Sequence, residues 1–173
     1  NYINTKPLTE NNTYYNPGNI EIGQNYAGET GETYANDRPR PFVVFDSPES
    51  GLRALMRDIT TKVNNLDGNL MSIINRYAPP ADKNPTSSYY DYVKSFIGNK
   101  EKVTVDDVPN IVKAIIMFEN APNESMTEEQ KIQAQKRLDI YLDENTFNTA
   151  IKLSKESFPG GTSLSQMLQS LQE

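Results

Sequence analysis

The sequence contains no cysteine, no histidine and no tryptophan. Without cysteine the chain has no disulfide and no thiol nucleophile, and the redox compartment cannot be inferred. Without histidine and cysteine, the usual zinc sites and the Ser-His-Asp triad are excluded as well. Any acid–base chemistry must therefore depend on carboxylates, tyrosine or lysine.

Long apolar runs are also missing. No stretch approaches the roughly 20 residues that a membrane helix needs, so we expect no membrane span. The opening stretch, NYINTKPLTENN, has neither a basic nor an apolar region, which predicts the absence of a signal peptide. Because the chain also begins without methionine, we expect it to be a piece of a longer protein.

Positive charge is scarce, since 17 lysines and arginines face 23 acidic residues and leave a net charge of −6. Such a balance offers no basic face, and we therefore predict no nucleic-acid partner. The acidic pair Asp106 and Asp107 suits a helix cap, and the DENT sequence at 143–146 lacks the spacing of a calcium loop. The sequence thus predicts neither a metal nor a cofactor.

The residues that are present indicate a mainly α fold with a small β ribbon. Ten tyrosines, six phenylalanines and many aliphatic residues supply enough apolar surface for a globular core. Residues 1–13 are expected to form a flexible N-terminus. The strand-like runs are NIEI at 19–22 and FVVF at 42–45, which together predict a ribbon of two or three strands.

Helical spacing of apolar residues begins after the second strand-like run. Each helix is preceded by a residue or pair that is typical of a helix start, and Thr127 with Gln130 forms a capping box. The expected starts are Ser47, Asn69, Pro85, Asp106 or Asp107, and Thr127.

A change in composition near residue 124 suggests a boundary. Residues 14–124 would form a domain of four helices with the ribbon, and residues 125–173 a C-terminal helical extension. Because the helices of this extension look amphipathic, we expect it to pack loosely or to serve a partner.

The stretch IVKAIIMFENAP, residues 111–122, is apolar nearly all round and predicts the central buried helix of the domain. Its last turn carries Glu119, for which two interpretations stay open. The carboxylate could point into water at a frayed end. Alternatively, burial beside Ile115, Ile116 and Phe118, together with the helix dipole, could favour the neutral acid.

The NPGN sequence at 16–19 is a strong turn signal. We expect a type II turn in which Gly18 has a positive φ, and Asn16 and Asn19 can bond the local backbone. The rival carboxylates Asp46 and Glu49 are interpreted as N-terminal helix charges, and Glu10 lies in the flexible terminus.

Four segments of the chain resemble, in order, the motifs of a family of phage virion proteins. The segments are YNPGNIEIGQNYAGETG, FVVFDSPESGLRALMRDI, SIINRYAPPADKNPTSSYYDYVKSFIG and VKAIIMFENAP. They match NNPGNI, an aromatic-x-G motif, F-x-S-P-x-x-G-hydrophobic-R-A-L, I-x-x-W/Y-A-P-P with N-x-x-x-Y, and a final helix ending in H-E-N. The resemblance covers about residues 14–121 and departs from the pattern at Phe118, where the family has His, and at Tyr26, where Trp is commoner.

The resemblance implies a lysozyme-like domain in the phage virion that cleaves the glycan strand of peptidoglycan, as a lysozyme or a lytic transglycosylase does. Glu119 would be the catalytic general acid. The NPGN loop is similar to the N-x-F-G-I loop of glucosaminidase-type enzymes, but precedes the acid in sequence, which a circularly permuted domain would reconcile. The expected substrate-binding residues are Asn16, Asn19, Gln24, Tyr26 and Tyr77.

An alternative from a different class is a non-catalytic phage structural module that binds other virion proteins. This role requires no working Glu119. The expected partners are accordingly the glycan strand, other virion proteins, or both.

Overall fold

The computed structural model describes residues 14–33, 40–82 and 84–172. Within this part of the chain it contains seven α-helices and one two-stranded sheet, which confirms the mainly α fold with a small β ribbon. Residues 1–13, predicted as a flexible terminus, lie outside the described residues, as does Glu10. The strands are β1 (Glu29–Thr33) and β2 (Phe42–Phe45), and the helices are α1 (Pro48–Asn65), α2 (Leu70–Tyr77), α3 (Thr86–Phe96), α4 (Val108–Asn120), α5 (Glu128–Tyr141), α6 (Glu144–Ser154) and α7 (Leu164–Ser170).

The sheet pairs β1 with β2 in antiparallel register, with Glu29 opposite Phe45 and Thr33 opposite Phe42. The strand at 42–45 was predicted, but its partner is 29–33 rather than 19–22. Residues 19–22 form only an isolated bridge from Glu21 to Phe42. Asn19 explains the difference, because its φ of +53° interrupts extended backbone at the start of that run.

The chain divides into two compact units, and the division falls inside α1 and near the end of α4. The helical unit comprises Met56–Glu119, and the ribbon unit comprises the described residues up to Leu55 together with those from Asn120 onward. The boundary near residue 124 that the sequence suggested stays a prediction. The segment beyond it, however, belongs to the same unit as the ribbon and is not a separate extension.

The helical unit is built around α4, as its apolar sequence predicts. Five residues of this helix are fully buried, namely Ile111, Val112, Ala114, Ile115 and Ile116. Burying one such aliphatic side chain contributes about 1.5–3 kcal/mol to the free energy of unfolding. The connection from α1 to α2 turns at Gly68, which has a φ of +71°. Its Cα lies close to the backbone of Val103, so that a Cβ at this position would lie 2.2 Å from the Val103 carbonyl oxygen.

The ribbon unit contains two apolar clusters. The first joins the ribbon to the beginning of α1 and consists of Ile20, Val43, Phe45 and Ala54. The second joins Ala27 to Leu153 of α6 and Met167 of α7. Because Leu153 and Met167 are both fully buried, the C-terminal segment is an integral part of this unit rather than a loosely packed extension.

Candidate functional site around Glu119

Glu119 lies in the last turn of α4, which continues as far as Asn120. Only 5% of Glu119 and 4% of Asn120 is exposed to solvent. The interpretation of Glu119 as a solvated, frayed helix end is therefore wrong. The carboxyl group belongs to the interior of the protein, which is the other of the two interpretations that the sequence left open.

Two tyrosines from different helices lie beside Glu119. Tyr77 ends α2 and Tyr89 lies in α3, and their rings meet edge to face with centroids 6.2 Å apart. Tyr89 is fully buried, and the hydroxyl of Tyr77 is buried although part of the residue reaches solvent. The ends of α2 and α4 and the middle of α3 thus place three polar groups together in the helical unit.

The electrostatics of the two tyrosines reflect this proximity. Burial, followed by the negative charges of Glu119 and Asp58, raises the pKa of Tyr77 well above its usual value. Burial, followed by the proximity of Tyr77 and Glu119, raises the pKa of Tyr89 in the same direction. Both hydroxyls consequently stay protonated at neutral pH and are permanent hydrogen-bond donors.

Asp58 reaches this group of residues from α1. Its carboxylate forms an ion pair of 2.7 Å with Lys62, one turn further along the same helix. Asp58 contributes to the field at Tyr77, but its own charge is balanced by the lysine. Three helices, α1 to α3, therefore supply one titratable group each, and Tyr77 is affected by both Asp58 and Glu119.

Phe118 stands where the resembled family has histidine, and it is part of an aromatic cluster. Its ring centroid lies 4.3 Å from that of Tyr89 and 5.4 Å from that of Tyr92. Tyr92 in turn stacks on Phe96, whose side chain is exposed. Phe118 cannot exchange a proton, and its contribution at this position is to pack against the ring of Tyr89.

The turn at Asn16 has a structural explanation. Asn16 is 2% exposed, its amide donates to the carbonyl oxygens of Ile20 and Val43, and its Oδ1 accepts from the Ile20 N–H, each at 2.9 Å. The amide thus holds the turn against β2. The predicted role of Asn16 in substrate binding is not needed to account for these contacts and stays a prediction.

Gly18 differs from the expectation of a type II turn with positive φ. The positive φ in this turn belongs to Asn19, at +53°. Glycine suits position 18 for a different reason, because a Cβ there would lie 2.8 Å from Cδ1 of Leu55, whose side chain would have to shift. Asn19 Oδ1 is buried and has no hydrogen-bond partner.

The other predicted substrate-binding residues fall in different places. Gln24 is exposed, and Tyr26 packs half-buried against the first apolar cluster of the ribbon unit. Tyr77 is the predicted sugar-binding residue that lies beside Glu119 within one unit. The expected placement of Glu119 against the NPGN turn stays a prediction.

The rival carboxylate Asp46 has a long-range role that its sequence position did not indicate. Its Oδ2 accepts a hydrogen bond of 2.8 Å from the Leu164 N–H at the start of α7, and its Oδ1 accepts from the Ser47 hydroxyl. Asp46 therefore stabilises the beginning of a helix remote in sequence. Glu49 lies in the first turn of α1, as predicted for an N-terminal helix charge.

Sequence reasoning missed Tyr89 and Asp58 as members of the site. Tyr89 lies on the buried face of α3, and helical spacing does not reveal what its hydroxyl meets. Among the described residues no cluster of carboxylates or histidines suits a metal ion, and no helix in this part of the chain has the length and apolarity to cross a membrane.

Comparisons with known proteins do not identify the chain, since no family model matches it and no curated protein is significantly similar.

Proposed function

We propose that the protein acts on the glycan strand of peptidoglycan and that Glu119 is the general acid that protonates the leaving oxygen of a glycosidic bond. The observation that carries this proposal is the burial of an acidic side chain at the end of α4, next to Tyr77 and Tyr89. The resemblance to phage virion proteins implies the substrate and a location in the virion.

The physical chemistry of the site supports this role for Glu119. Removing a carboxyl group from water favours its neutral form, and the carboxyl end of a helix disfavours negative charge. Glycosidic cleavage requires a carboxylic acid that is still protonated near neutral pH. Burial in the last turn of an apolar helix is the kind of environment that favours a protonated carboxyl group, and Glu119 lies in such an environment.

The arrangement favours a lytic transglycosylase over a hydrolase with two working carboxylates. The other carboxylate whose charge reaches this cluster is Asp58, and it is paired with Lys62 at 2.7 Å. A transglycosylase requires no second carboxylate as nucleophile, because a hydroxyl of the substrate attacks the anomeric carbon. The product then carries an internal anhydro ring instead of a new reducing end.

A second candidate is a non-catalytic virion module that binds other virion proteins. The observation in its favour is that Asn16, a residue of the resembled motif, uses both atoms of its amide to hold the backbone of the ribbon unit. If folding alone requires the residues of this motif, the motif is equally compatible with a structural protein that has no catalytic activity.

The test is the turnover of purified peptidoglycan by the wild type, by Glu119→Gln and by Glu101→Gln. Glu119→Gln preserves shape and removes the acid. Glu101 is a matched control in the same unit, since its side chain is 74% exposed and pairs with Lys94. We expect anhydro products from the wild type and from Glu101→Gln, and none from Glu119→Gln.

Two results would contradict the proposal. Equal turnover by Glu119→Gln would reject this residue as the acid. A wild type that neither turns over peptidoglycan nor binds chitooligosaccharide would leave the structural module as the function. Thermal unfolding of each variant shows whether a loss of turnover reflects a loss of folded protein.

A further inference from the structure

The aromatic cluster around Phe118 extends from the sequence neighbour of Glu119 to the surface of the helical unit. The ring of Tyr92 lies 5.4 Å from that of Phe118, and the ring of Phe96 stacks on Tyr92 with their centroids 6.3 Å apart. Exposure increases along this row, because Phe118 and Tyr92 are half-buried and Phe96 is 39% exposed. A row of aromatic rings therefore begins one residue before Glu119 and ends in solvent.

Packing of the core does not account for the outer end of this row. The buried face of α3 consists of Thr86, Tyr89 and Val93, and it continues beyond the helix with Ile97. Among the described residues of α3 and α4, Phe96 is the one large apolar side chain that is exposed. A single exposed apolar residue is ordinary in proteins, so the case for a binding site depends on what surrounds this ring.

Exposed polar side chains border the rings of Tyr92 and Phe96 on the same helix. Residues three or four positions apart are neighbours on a helix surface. Ser88 lies four positions before Tyr92 and Ser95 three positions after it, and Asp91 lies within the same spacing of both serines. All three polar residues are exposed. Their hydroxyl and carboxylate groups can form hydrogen bonds with a ligand that lies on the aromatic rings.

A pyranose ring matches this combination of groups. Its C–H groups form an apolar face that packs against the electron-rich face of an aromatic ring, and the hydroxyl and acetamido groups at its rim require hydrogen-bond partners. A protein partner fits less well, because a stable protein interface takes about 20–30 residues from each side, and α3 offers one exposed large apolar side chain. The chemistry of the surface thus favours a strand of amino sugars.

We propose that Tyr92 and Phe96 form a sugar-binding surface of the helical unit, on which a strand of N-acetylated pyranoses stacks, while Ser88, Asp91 and Ser95 bind the polar groups at the rims of the sugars. The identity of this strand as the glycan of peptidoglycan rests on the proposed function. Because these side chains take no part in the reaction, the surface stabilises the bound substrate and the transition state equally. Such uniform binding lowers KM and leaves kcat unchanged.

The experiment is an NMR titration of the wild-type protein with chitotetraose, the tetramer of N-acetylglucosamine. We expect the largest shifts of amide signals within residues 88–96. We also expect nuclear Overhauser effects between the ring protons of Tyr92 and Phe96 and the C–H protons of the sugar. These effects locate the ligand on the rings and require no turnover.

Two variants and a control examine the ring at position 96. Phe96→Leu keeps an apolar side chain but removes the flat aromatic face, so we expect the Kd for chitotetraose to rise about fivefold to tenfold. Phe96→Tyr retains the ring and should retain the wild-type Kd. Met71→Ala is the control, since Met71 is 42% exposed on α2 of the same unit, and it should also leave Kd unchanged. Thermal unfolding shows whether each variant is folded.

For the turnover of peptidoglycan we expect Phe96→Leu to raise KM by a similar factor with kcat unchanged. A wild type that does not bind chitotetraose, or a Phe96→Leu variant that binds it as tightly as the wild type, overturns the sugar-binding surface. A Phe96→Leu variant that changes the oligomeric state in sedimentation but not the sugar affinity also overturns it, and would identify this face as a protein interface. A wild type without turnover, or turnover that survives Glu119→Gln, overturns the proposed function alone, because the Kd for chitotetraose decides the sugar-binding surface independently.

Discussion

The guanidinium of Arg53 in α1 donates a hydrogen bond of 3.1 Å to the carbonyl oxygen of Leu153, a residue 100 positions further along the chain. A second bond of 2.8 Å reaches the carbonyl oxygen of Glu156, and the ring of Phe158 lies 5.1 Å from the guanidinium carbon. The last carbonyl groups of a helix have no partner within the helix. Arg53, only 1% exposed, adds a donor to the carbonyl oxygen of Leu153 in the last turn of α6 and to that of Glu156 just beyond the helix.

The first prediction concerns this contact. Arg53→Met retains most of the length of the side chain but removes two hydrogen bonds from a buried guanidinium, one to the carbonyl oxygen of Leu153 and one to that of Glu156. We expect the free energy of unfolding to fall by about 2–3 kcal/mol, measured by chemical denaturation. Lys152→Met, which removes an exposed cation from the same helix end, is the control and should change stability by less than about 0.5 kcal/mol. Similar losses in the two variants would show that α6 does not depend on Arg53.

The second prediction concerns the connection between α4 and α5. Residues 121–125 are all exposed, so limited proteolysis should cut there first. Because Leu153 and Met167 are buried against residues that precede α1, we expect the two fragments to stay together on size-exclusion chromatography under native conditions. They should separate in denaturant. Fragments that elute separately without denaturant would restore the picture of a C-terminal extension.

Local features of the fold could be predicted from the sequence because their partners are close in the chain. Asn69 accepts a hydrogen bond from the Ser72 N–H at 2.9 Å, and Thr127 and Gln130 form the predicted capping box. Position in the chain does not encode contacts between distant segments. For that reason the donor from Arg53 to α6 and the cap from Asp46 to α7 were not foreseen.

The candidate site shows the same limit. The apolar run of α4 predicted that Glu119 could be buried, since Ile115 and Ile116 are its neighbours in sequence. Its electrostatic influence on Tyr89 depends on how α3 and α4 are arranged, and no spacing within one helix specifies that. The roles of Asn19, Gln24 and Tyr26 stay predictions for a related reason, because a sugar-binding role depends on a ligand that the chain alone does not define.

The third prediction distinguishes two reasons why a position requires glycine: a positive φ alone, and a positive φ combined with a close approach of another backbone segment. Gly68 and Gly98 both have positive φ, at +71° and +83°, but a Cβ at Gly68 would meet the Val103 carbonyl oxygen at 2.2 Å, whereas at Gly98 it would meet nothing within 4 Å. Gly98→Ala should therefore lower the free energy of unfolding by about 1 kcal/mol, the cost of the backbone conformation alone. Gly68→Ala should lower it by at least about 2 kcal/mol, because the backbone of Val103 must also move. Equal losses would mean that the close approach at Gly68 relaxes without cost.

The last prediction concerns alkaline pH. Burial, and then neighbouring negative charge, raises the pKa of Tyr77 and of Tyr89 well above 10 in the folded protein. The unfolded chain binds these protons less tightly, so the stability that they contribute is complete below pH 10 and is lost as pH rises from there towards the folded pKa values. We therefore expect the free energy of unfolding to fall steeply above pH 10, and the absorbance of ionised tyrosine at these two positions to appear together with unfolding.

The double variant Tyr77→Phe with Tyr89→Phe tests the cause of that fall. The double variant lacks the two hydroxyl groups that would lose a proton on unfolding. Its free energy of unfolding should therefore decline less steeply between about pH 10 and 12 than that of the wild type. Tyr90→Phe removes a hydroxyl from a ring that lies over Lys94 and should retain the steep decline. If the double variant and the wild type lose stability with the same slope, the two hydroxyls are not held protonated by the fold, and the buried cluster around Glu119 is more open to water than its geometry indicates.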